Sequence, residues 1–310
     1  MTSQTNEKAL EDAIEKALTG STRDERKNQL PTDGNSTAQD SFSHPYRSGL
    51  GYYAGHAHDF DPKYAIDKER FWHFLETTQA TELAKLQRQS NSDWKLKILE
   101  RLDRTIKKQG VLRILKKGLE IDNAKLTFFY EAPLASSNQK VRDRFASNEF
   151  SVTRQVHYSV DKPLHSIDMV VFVNGLAIAT IELKNPWTGQ TARQQGIAQY
   201  KKRDIRQTLL QFGRCLVHFA ADTDEVYMTT RLNKTNTFFL PFNQGNHHGK
   251  GNPANPLGHK TSYLWQDVFT KKSVANIIQH FVRFDGKSTD KLNNRTLFFP
   301  RYHQRDVVQR

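Results

Sequence analysis

The chain has 310 residues with 36% hydrophobic and 11% aromatic content, which is enough to form the core of one large domain or two small ones. Its single cysteine, Cys215, excludes an intrachain disulfide framework and a multi-cysteine zinc site, and no run of about 18 apolar residues is present to span a bilayer. The formal net charge of +13 favours association with polyanions, for which the simpler alternative is a solvated basic surface.

The first part of the chain is predicted to be largely helical. Helices are predicted over 6–19, 67–89 and 93–117. Gly20 is expected to end the first, and Gly110 and Gly118 to break or cap the third. A segment rich in Ser, Asn, Asp and Gly, from 21 to about 58, is predicted as a long loop. Residues 1–20 lack the apolar core of a signal peptide, so the cytoplasm is the expected compartment.

From residue 126 onward the apolar period changes from that of a helix to that of a strand. Five segments are predicted as strands: 126–130, 150–156, 167–173, 176–183 and 215–220. The polar, basic segment 191–211 between the last two is compatible with a helix, and this alternation predicts a mixed α/β sheet. We expect a loop over 243–259 and a helix near 265–284 to follow.

One hairpin of the predicted sheet carries three charged side chains in otherwise apolar strands. Residues 166–184 read SIDMVVFVNGLAIATIELK, and the central Asn-Gly dipeptide is a strong signal for a two-residue turn. The charges are those of Asp168, Glu182 and Lys184. Because burying a lone carboxylate is costly unless it is paired or bound to a metal, this pattern indicates a functional site. The alternative is a surface aspartate with a Glu–Lys pair on an edge strand.

The register of this hairpin decides whether the three side chains meet. Side-chain alternation places Glu182 and Lys184 on one face of their strand. A regular two-residue turn pairs Asp168 with Ile181 and leaves Glu182 on the opposite face, whereas a three-residue turn or one β-bulge places Asp168 across from Glu182. A site built on these residues therefore requires an irregularity between positions 168 and 182.

If they converge, the two carboxylates form a set of hard oxygen ligands for Mg²⁺ together with a main-chain carbonyl such as that of Leu183. The metal would activate a water molecule for attack on a phosphodiester and neutralise charge in the transition state. Lys184 can orient or deprotonate that water, or stabilise the transition state, and the sequence leaves these roles open. We therefore predict Asp168, Glu182 and Lys184 as catalytic residues, and Asp168, Glu182 and the Leu183 carbonyl as metal ligands.

The Asp-x13-Glu-x-Lys spacing resembles the core of the PD-(D/E)xK nucleases. Longer sequence segments around it resemble the restriction (R) subunit of type I restriction–modification enzymes. These segments are 148–156, 166–168, 172–176, 182–186, 188–190, 216–219, 225–230, 238–243 and 263–265. The similarity runs from the first helix to the last residue. It implies an α/β fold with a PD-(D/E)xK restriction-endonuclease-like core, a mixed β-sheet flanked by helices and N-terminal helical additions. It also implies Mg²⁺-dependent endonucleolytic cleavage of double-stranded DNA.

The resemblance further implies how the chain is organised. In that family the R subunit joins an N-terminal nuclease to an ATP-driven motor and acts with methyltransferase and specificity subunits. We therefore expect a nuclease domain over 1–285 with its catalytic core at about 120–230, followed over 286–310 by a linker and the start of an absent motor domain. ATP is then a ligand of the full-length subunit only, because the glycine-rich stretch 245–251 departs from the phosphate-loop pattern and is interpreted as a surface loop.

Support for the active site is expected from Glu11, Glu15, Gln195, Gln199 and Tyr200. Members of the family often carry a Gln four residues before a Tyr on the helix after the Glu-x-Lys strand. In this chain the position before Tyr200 is Gly196, so Gln195 or Gln199 is the candidate in its place. Glu11 and Glu15 lie on the first predicted helix, which the resemblance places near the core. Solvated helical surfaces are the alternative for all five.

The candidate contacts to the DNA backbone are Arg193, Lys201, Lys202, Arg203 and Arg206. On a continuous helix, Arg203 and Arg206 would share a face near Tyr200, although a solvated helix explains them equally well. Backbone contacts give affinity without sequence recognition, in agreement with a family whose specificity belongs to another subunit. Two alternative functions stay open: a repair or junction nuclease of the same superfamily, and a non-cleaving DNA-docking or assembly module. A membrane partner is not expected.

Overall fold

The computed structural model describes residues 3–29, 49–90, 93–247, 249–287 and 289–304, without the side chains of 3–6, 29 and 90. Part of the loop predicted over 21–58 and the last six residues therefore lie outside the described residues. The described residues form a mixed sheet flanked by helices, so the α/β fold class predicted from the sequence is confirmed.

The helices in the described part of the chain lie in the segments predicted as helical, in shorter pieces, except for two: Arg23–Gln29 is inside the segment predicted as a loop, and Gln139–Ala146 is where no helix was predicted. They are α1 (Ser3–Thr19), α2 (Arg23–Gln29), α3 (Lys68–Thr78), α4 (Ala80–Ser90), α5 (Trp94–Gln109), α6 (Val111–Lys117), α7 (Gln139–Ala146), α8 (Ile197–Lys202) and α9 (Lys271–Asn276). Gly110 (φ 80°) separates α5 from α6 and Gly118 (φ 66°) ends α6, as predicted. The single helix predicted over 67–89 is wrong, because the chain leaves the helical conformation at Gln79.

The main sheet is mixed, and its central strands are those predicted. The strands of the described chain are β1 (Tyr53–Gly55), β2 (Phe60–Asp61), β3 (Ile66–Asp67), β4 (Leu119–Ile121), β5 (Ala124–Leu126), β6 (Phe150–His157), β7 (Ser166–Val173), β8 (Leu176–Leu183), β9 (Val217–Ala221), β10 (Val226–Thr229), β11 (Leu240–Pro241), β12 (Arg283–Asp285) and β13 (Thr296–Phe298). The strand order along the main sheet is β1-β6-β7-β8-β9-β10-β11, with β1 parallel to β6 and β8 parallel to β9. The strand predicted over 126–130 is wrong, since β5 ends at Leu126 and residues 127–130 are not in a strand.

The two faces of the sheet are covered by two hydrophobic clusters. On one face, alternate residues such as Met169 and Ile181 pack against the N-terminal helices, including Leu10 and Ile14 of α1. On the other face, residues of opposite parity such as Val170 pack under α8 with Tyr200, Leu209 and Leu210. Because β7 and β8 are buried on both faces, any polar side chain they carry is held in a solvent-poor environment.

The last described residues return to the main core. β12 pairs with β13, and Phe299 and Tyr302 pack against the large cluster. The boundary predicted after residue 285 therefore falls inside a hairpin, and the start of a separate domain at 286 stays a prediction. In the residues that the structure describes, no helix is both long enough and apolar enough to cross a membrane.

Candidate active site

A β-bulge in the β7–β8 hairpin sets the position of the predicted catalytic residues. The turn has two residues, since Val173 pairs with Leu176 across a left-handed Asn-Gly dipeptide. The register of the two strands is Phe172↔Ala177, then Val171↔Ala179, Val170↔Thr180 and Met169↔Ile181. Ile178 is thus the extra residue, and continuing the register by one residue sets Asp168 opposite Glu182. The irregularity that the sequence analysis requires between positions 168 and 182 is confirmed.

Glu182 is fully buried and only half satisfied. Its Oε1 accepts a hydrogen bond from Nη2 of Arg203 in an ion pair, while Oε2 has no hydrogen-bond partner among the described residues. Burial raises the pKa of the Glu182 carboxyl well above its ordinary value, and the nearby charge of Asp168 raises that pKa further. Asp168 is half-buried, and its Oδ2 accepts the main-chain N–H of Leu183 at 2.7 Å.

Lys184 completes the group at the end of β8. Its side chain is 7% exposed, and Nζ donates to the carbonyl oxygen of Leu183 at 2.7 Å. The same Nζ lies 3.4 Å from Oε1 of Glu7 on α1. Sequence reasoning missed Glu7, although its position one helical turn before Glu11 is a signal that could have identified it.

The residues at this point fit a divalent hard cation. The continued register sets two carboxylates opposite each other on adjacent strands, the Leu183 carbonyl follows Glu182 in the chain, and Oε2 of Glu182 is a buried oxygen without a hydrogen bond in the described chain. These are the ligand types that Mg²⁺ prefers. No group of three or more His, Cys, Asp or Glu side chains arranged for a metal occurs within the described ranges. The Leu183 carbonyl as a third protein ligand stays a prediction.

Arg203 lies in the site and not on a DNA-facing helix surface. The helix predicted over 191–211 is wrong in extent, because a π-helical turn (Ala192–Gly196) leads into α8, which ends at Lys202. Arg203 is extended (φ −69°, ψ 148°), so its side chain turns inward, where Nη1 donates to the Tyr158 hydroxyl at 3.0 Å and Nη2 to the Ser166 carbonyl at 2.8 Å. The helical face predicted for Arg203 and Arg206 therefore does not form.

The other basic candidates stay at the surface. Arg206 is exposed and pairs with Asp204 at 2.8 Å. Arg193 and Lys202 are exposed, and Lys201 is half-buried. Their contact with DNA stays a prediction.

The residues expected to support the site occupy different environments. Tyr200 is buried, and its hydroxyl is 2.7 Å from Oγ1 of Thr180, while Gln195 accepts the main-chain N–H of Thr191 at 2.8 Å. Gln199 is half-buried. A Cβ added at Gly196 would lie 3.2 Å from Cβ of Ala220 and 3.5 Å from Cγ of Lys184, so close helix–sheet packing explains the glycine there.

Glu11 and Glu15 of α1 are buried, and both form ion pairs with Arg154 of the neighbouring strand β6. Arg154 contacts Oε2 of Glu11 at 2.6 Å and Oε2 of Glu15 at 2.9 Å, and Glu15 also pairs with Arg26. Burial raises the pKa of Glu11, with a smaller contribution from the charge of Asp168. Glu11 therefore lies within electrostatic range of the site, and metal contact by either glutamate stays a prediction. Sequence reasoning missed Arg154, although a charge in an apolar strand was the signal that identified Asp168.

A mixed sheet flanked by helices, with an Asp–Glu–Lys group at a bulged central hairpin, is consistent with an α/β nuclease-like fold. Residues 47–237 match the family model described as the type I restriction enzyme R protein N terminus. The chain belongs to that family, whose name is that of a restriction enzyme subunit and points to a nuclease. A comparison with curated proteins finds no match.

Proposed function

We propose that this chain is the nuclease part of a type I restriction enzyme R subunit and hydrolyses phosphodiester bonds within double-stranded DNA with Mg²⁺. This assigns it to the PD-(D/E)xK superfamily and to the type I site-specific deoxyribonucleases. The observation that carries the proposal is the bulge at Ile178, which sets Asp168 opposite Glu182 on adjacent strands. Glu182 is a fully buried carboxyl whose pKa is raised by burial and by the charge of Asp168, and perturbed groups of this kind cluster at functional sites.

The side chains of the site have distinct roles in this proposal. Asp168, Glu182 and the Leu183 carbonyl would hold Mg²⁺, which when bound supplies charge neutralisation and activation of water. Lys184, whose Nζ lies within hydrogen-bond distance of the Leu183 carbonyl, is positioned to orient the attacking water or to stabilise charge on the phosphate. Arg203 holds the Glu182 carboxylate in place from the side opposite its unpaired oxygen.

The family supports a larger assembly as the working enzyme. We propose that methyltransferase and specificity subunits select the DNA, and that an ATP-driven motor belongs to the full-length subunit, with ATP bound there and not by these residues. The cytoplasm is the proposed compartment. Arg193, Lys201, Lys202 and Arg206 are the proposed contacts to the DNA backbone near the site.

The proposal is tested by Mg²⁺ binding measured by calorimetry on the wild-type chain and on Asp168→Ala and Glu182→Gln, with nicking of supercoiled plasmid followed in parallel. We expect both variants to lose Mg²⁺ binding and nicking. The matched control is Asp224→Ala, which removes an exposed carboxylate paired with Lys260 and should change neither. Equal Mg²⁺ binding in all four proteins would contradict the metal site.

A non-cleaving DNA-docking module is the second candidate, and the Arg203–Glu182 ion pair favours it. A carboxylate neutralised by a resident arginine has less to gain from a cation, as expected of a silent site. Such a module would bind DNA equally well with Mg²⁺ and with EDTA, and Asp168→Ala would leave its properties unchanged. Loss of Mg²⁺ binding in that variant therefore excludes the silent module.

A further inference from the structure

A basic groove lies on the N-terminal helical part of the molecule, away from the candidate active site. Residues 93–126 contain ten Lys and Arg but only five Asp and Glu, so they carry a large share of the net charge of +13. On α5, Ile98, Leu102 and Ile106 are buried against the core. The helix therefore turns a different face outward, and that face is basic.

The groove is built from this basic face and the turn that follows α6. Arg101, Arg104 and Lys108 are exposed and spaced by three and four residues, so they follow one another along one side of α5. With the exposed Arg113 and residues 118–120 they line a cavity of about 290 Å³. Nη1 of Arg113 donates to the Gly118 carbonyl at 3.1 Å. This hydrogen bond ties residues 118–120, one wall of the groove, to α6.

The charges of the groove are not neutralised by the protein. Its one acidic wall residue, Glu120, lies 3.4 Å from Lys125 outside the groove. Asp103 pairs instead with Lys107 and with the buried Arg214. Across the described ranges no carboxylate pairs with the three groove cations of α5. Like charges at this spacing destabilise a helix, so an anionic ligand would offset a standing cost.

The groove and the candidate active site lie toward opposite ends of β8 and β9. α5 and α6 are joined to the segment just before β9, because Val111 of α6 donates its N–H to the Gly213 carbonyl at 2.7 Å and Asp103 of α5 pairs with Arg214. Along these parallel strands Val217 is opposite Ala179, while Ala220 is opposite Glu182. Each residue of strand adds about 3.3 Å, so the groove lies more than about 10 Å from the carboxylates along the strands.

We propose that this groove, lined by Arg101, Arg104, Lys108 and Arg113, is a second binding site for the phosphate backbone of duplex DNA, remote from the site of cleavage. The inference rests on the proposed function for the identity of the polyanion, and on the charge and shape of the groove for its location. The groove would contact the DNA through regularly spaced cationic side chains that bind phosphates and do not hydrogen-bond to base edges. Such contacts give affinity and not sequence recognition. A duplex held there is retained on the protein whether or not the carboxylates are engaged.

The test is fluorescence anisotropy of a labelled 30-base-pair duplex in EDTA, which prevents cleavage, across a series of salt concentrations. The groove variant is Arg101→Gln/Arg104→Gln/Lys108→Gln, since glutamine keeps the helix propensity of these exposed positions. The matched control is Lys140→Gln/Arg142→Gln/Arg144→Gln on the exposed helix α7, which changes the net charge equally. Circular dichroism verifies that both variants are folded.

We expect the groove variant to bind the duplex at least about tenfold more weakly, with the slope of log affinity against log salt reduced by about 2 to 3, because each phosphate contact contributes about 0.9. The control should retain most of the wild-type affinity. Equal losses in the two variants, or no loss in either, would overturn the groove and assign binding to net charge or to another surface. Asp224→Ala, outside both sites and measured in the same assay, should bind like the wild type. Failure of the groove is therefore distinguishable from failure of the nuclease proposal, which Mg²⁺ binding and nicking test separately.

Discussion

The guanidinium of Arg203 forms a buried ion pair with the carboxylate of Glu182, and no solvent reaches the glutamate side chain. The pair joins the end of α8 to the centre of the sheet. It holds one oxygen of Glu182 and leaves the other without a hydrogen bond in the described part of the chain. Arg203 therefore determines how this carboxylate is presented to a cation.

Removing the charge of Arg203 should destabilise the fold. In Arg203→Gln, the buried Glu182 carboxyl loses its ion-pair partner, and we expect the free energy of unfolding in urea to fall by about 3 kcal/mol. Arg206→Gln, which breaks an exposed pair, should cost less than about 1 kcal/mol. In the double variant Arg203→Gln/Glu182→Gln the loss should be smaller than the sum of the single losses, since the two side chains interact directly. Additive losses would show that the ion pair is not formed in solution.

Replacing Lys184 should abolish cleavage without unfolding the protein. In Lys184→Ala we expect plasmid nicking to fall by at least about 100-fold, the usual effect of removing a group that acts on the reacting atoms. The circular dichroism spectrum should be unchanged, because the side chain lies at a strand end. Lys272→Ala, at an exposed position on α9, is the control and should nick like the wild type. Undiminished nicking by Lys184→Ala would remove this lysine from the mechanism.

The Asn-Gly turn should tolerate no side chain at Gly175. This glycine is left-handed (φ 76°), and a Cβ there would lie 2.5 Å from Cβ of Phe71 and 2.6 Å from the Asp67 carbonyl. We expect Gly175→Ala to lower the free energy of unfolding by about 3 kcal/mol through backbone strain and overpacking. Gly189 has a similar φ of 74° with nothing within 4 Å, so Gly189→Ala should cost about 1 kcal/mol. Equal losses in urea unfolding would mean that α3 does not pack on the turn.

Asp67 should make stability depend on pH. Burial raises the pKa of its carboxyl from 3.8 to about 6 in the folded state, so ionisation is disfavoured by folding. The contribution of Asp67 to the free energy of unfolding is therefore greatest below pH 3.8 and is lost as pH rises through about 6. Asp67→Asn retains a side-chain oxygen to cap Arg70, and its free energy of unfolding relative to wild type should rise by about 2.5 kcal/mol from pH 4 to pH 7.5. A difference in unfolding free energy that stays constant over this range would contradict the raised pKa.

Local features of the sequence were sufficient for much of the fold. The Asn-Gly dipeptide predicts the hairpin turn, Gly110 and Gly118 predict the ends of two helices, and three charges in apolar strands indicate where the site lies. These inferences succeed because turn geometry, helix termination and the cost of burying charge depend on a few neighbouring residues.

Other features required the tertiary structure. The sequence shows that Asp168 and Glu182 need a bulge in order to meet, but only the packing of both sheet faces places it at Ile178. The end of α8 at Lys202 and the inward turn of Arg203 toward Glu182 depend on contacts between residues 21 positions apart. The sequence alone therefore determined the types of residue and the local turns that the site needs. Their register and partners were decided by long-range packing, which no local pattern encodes.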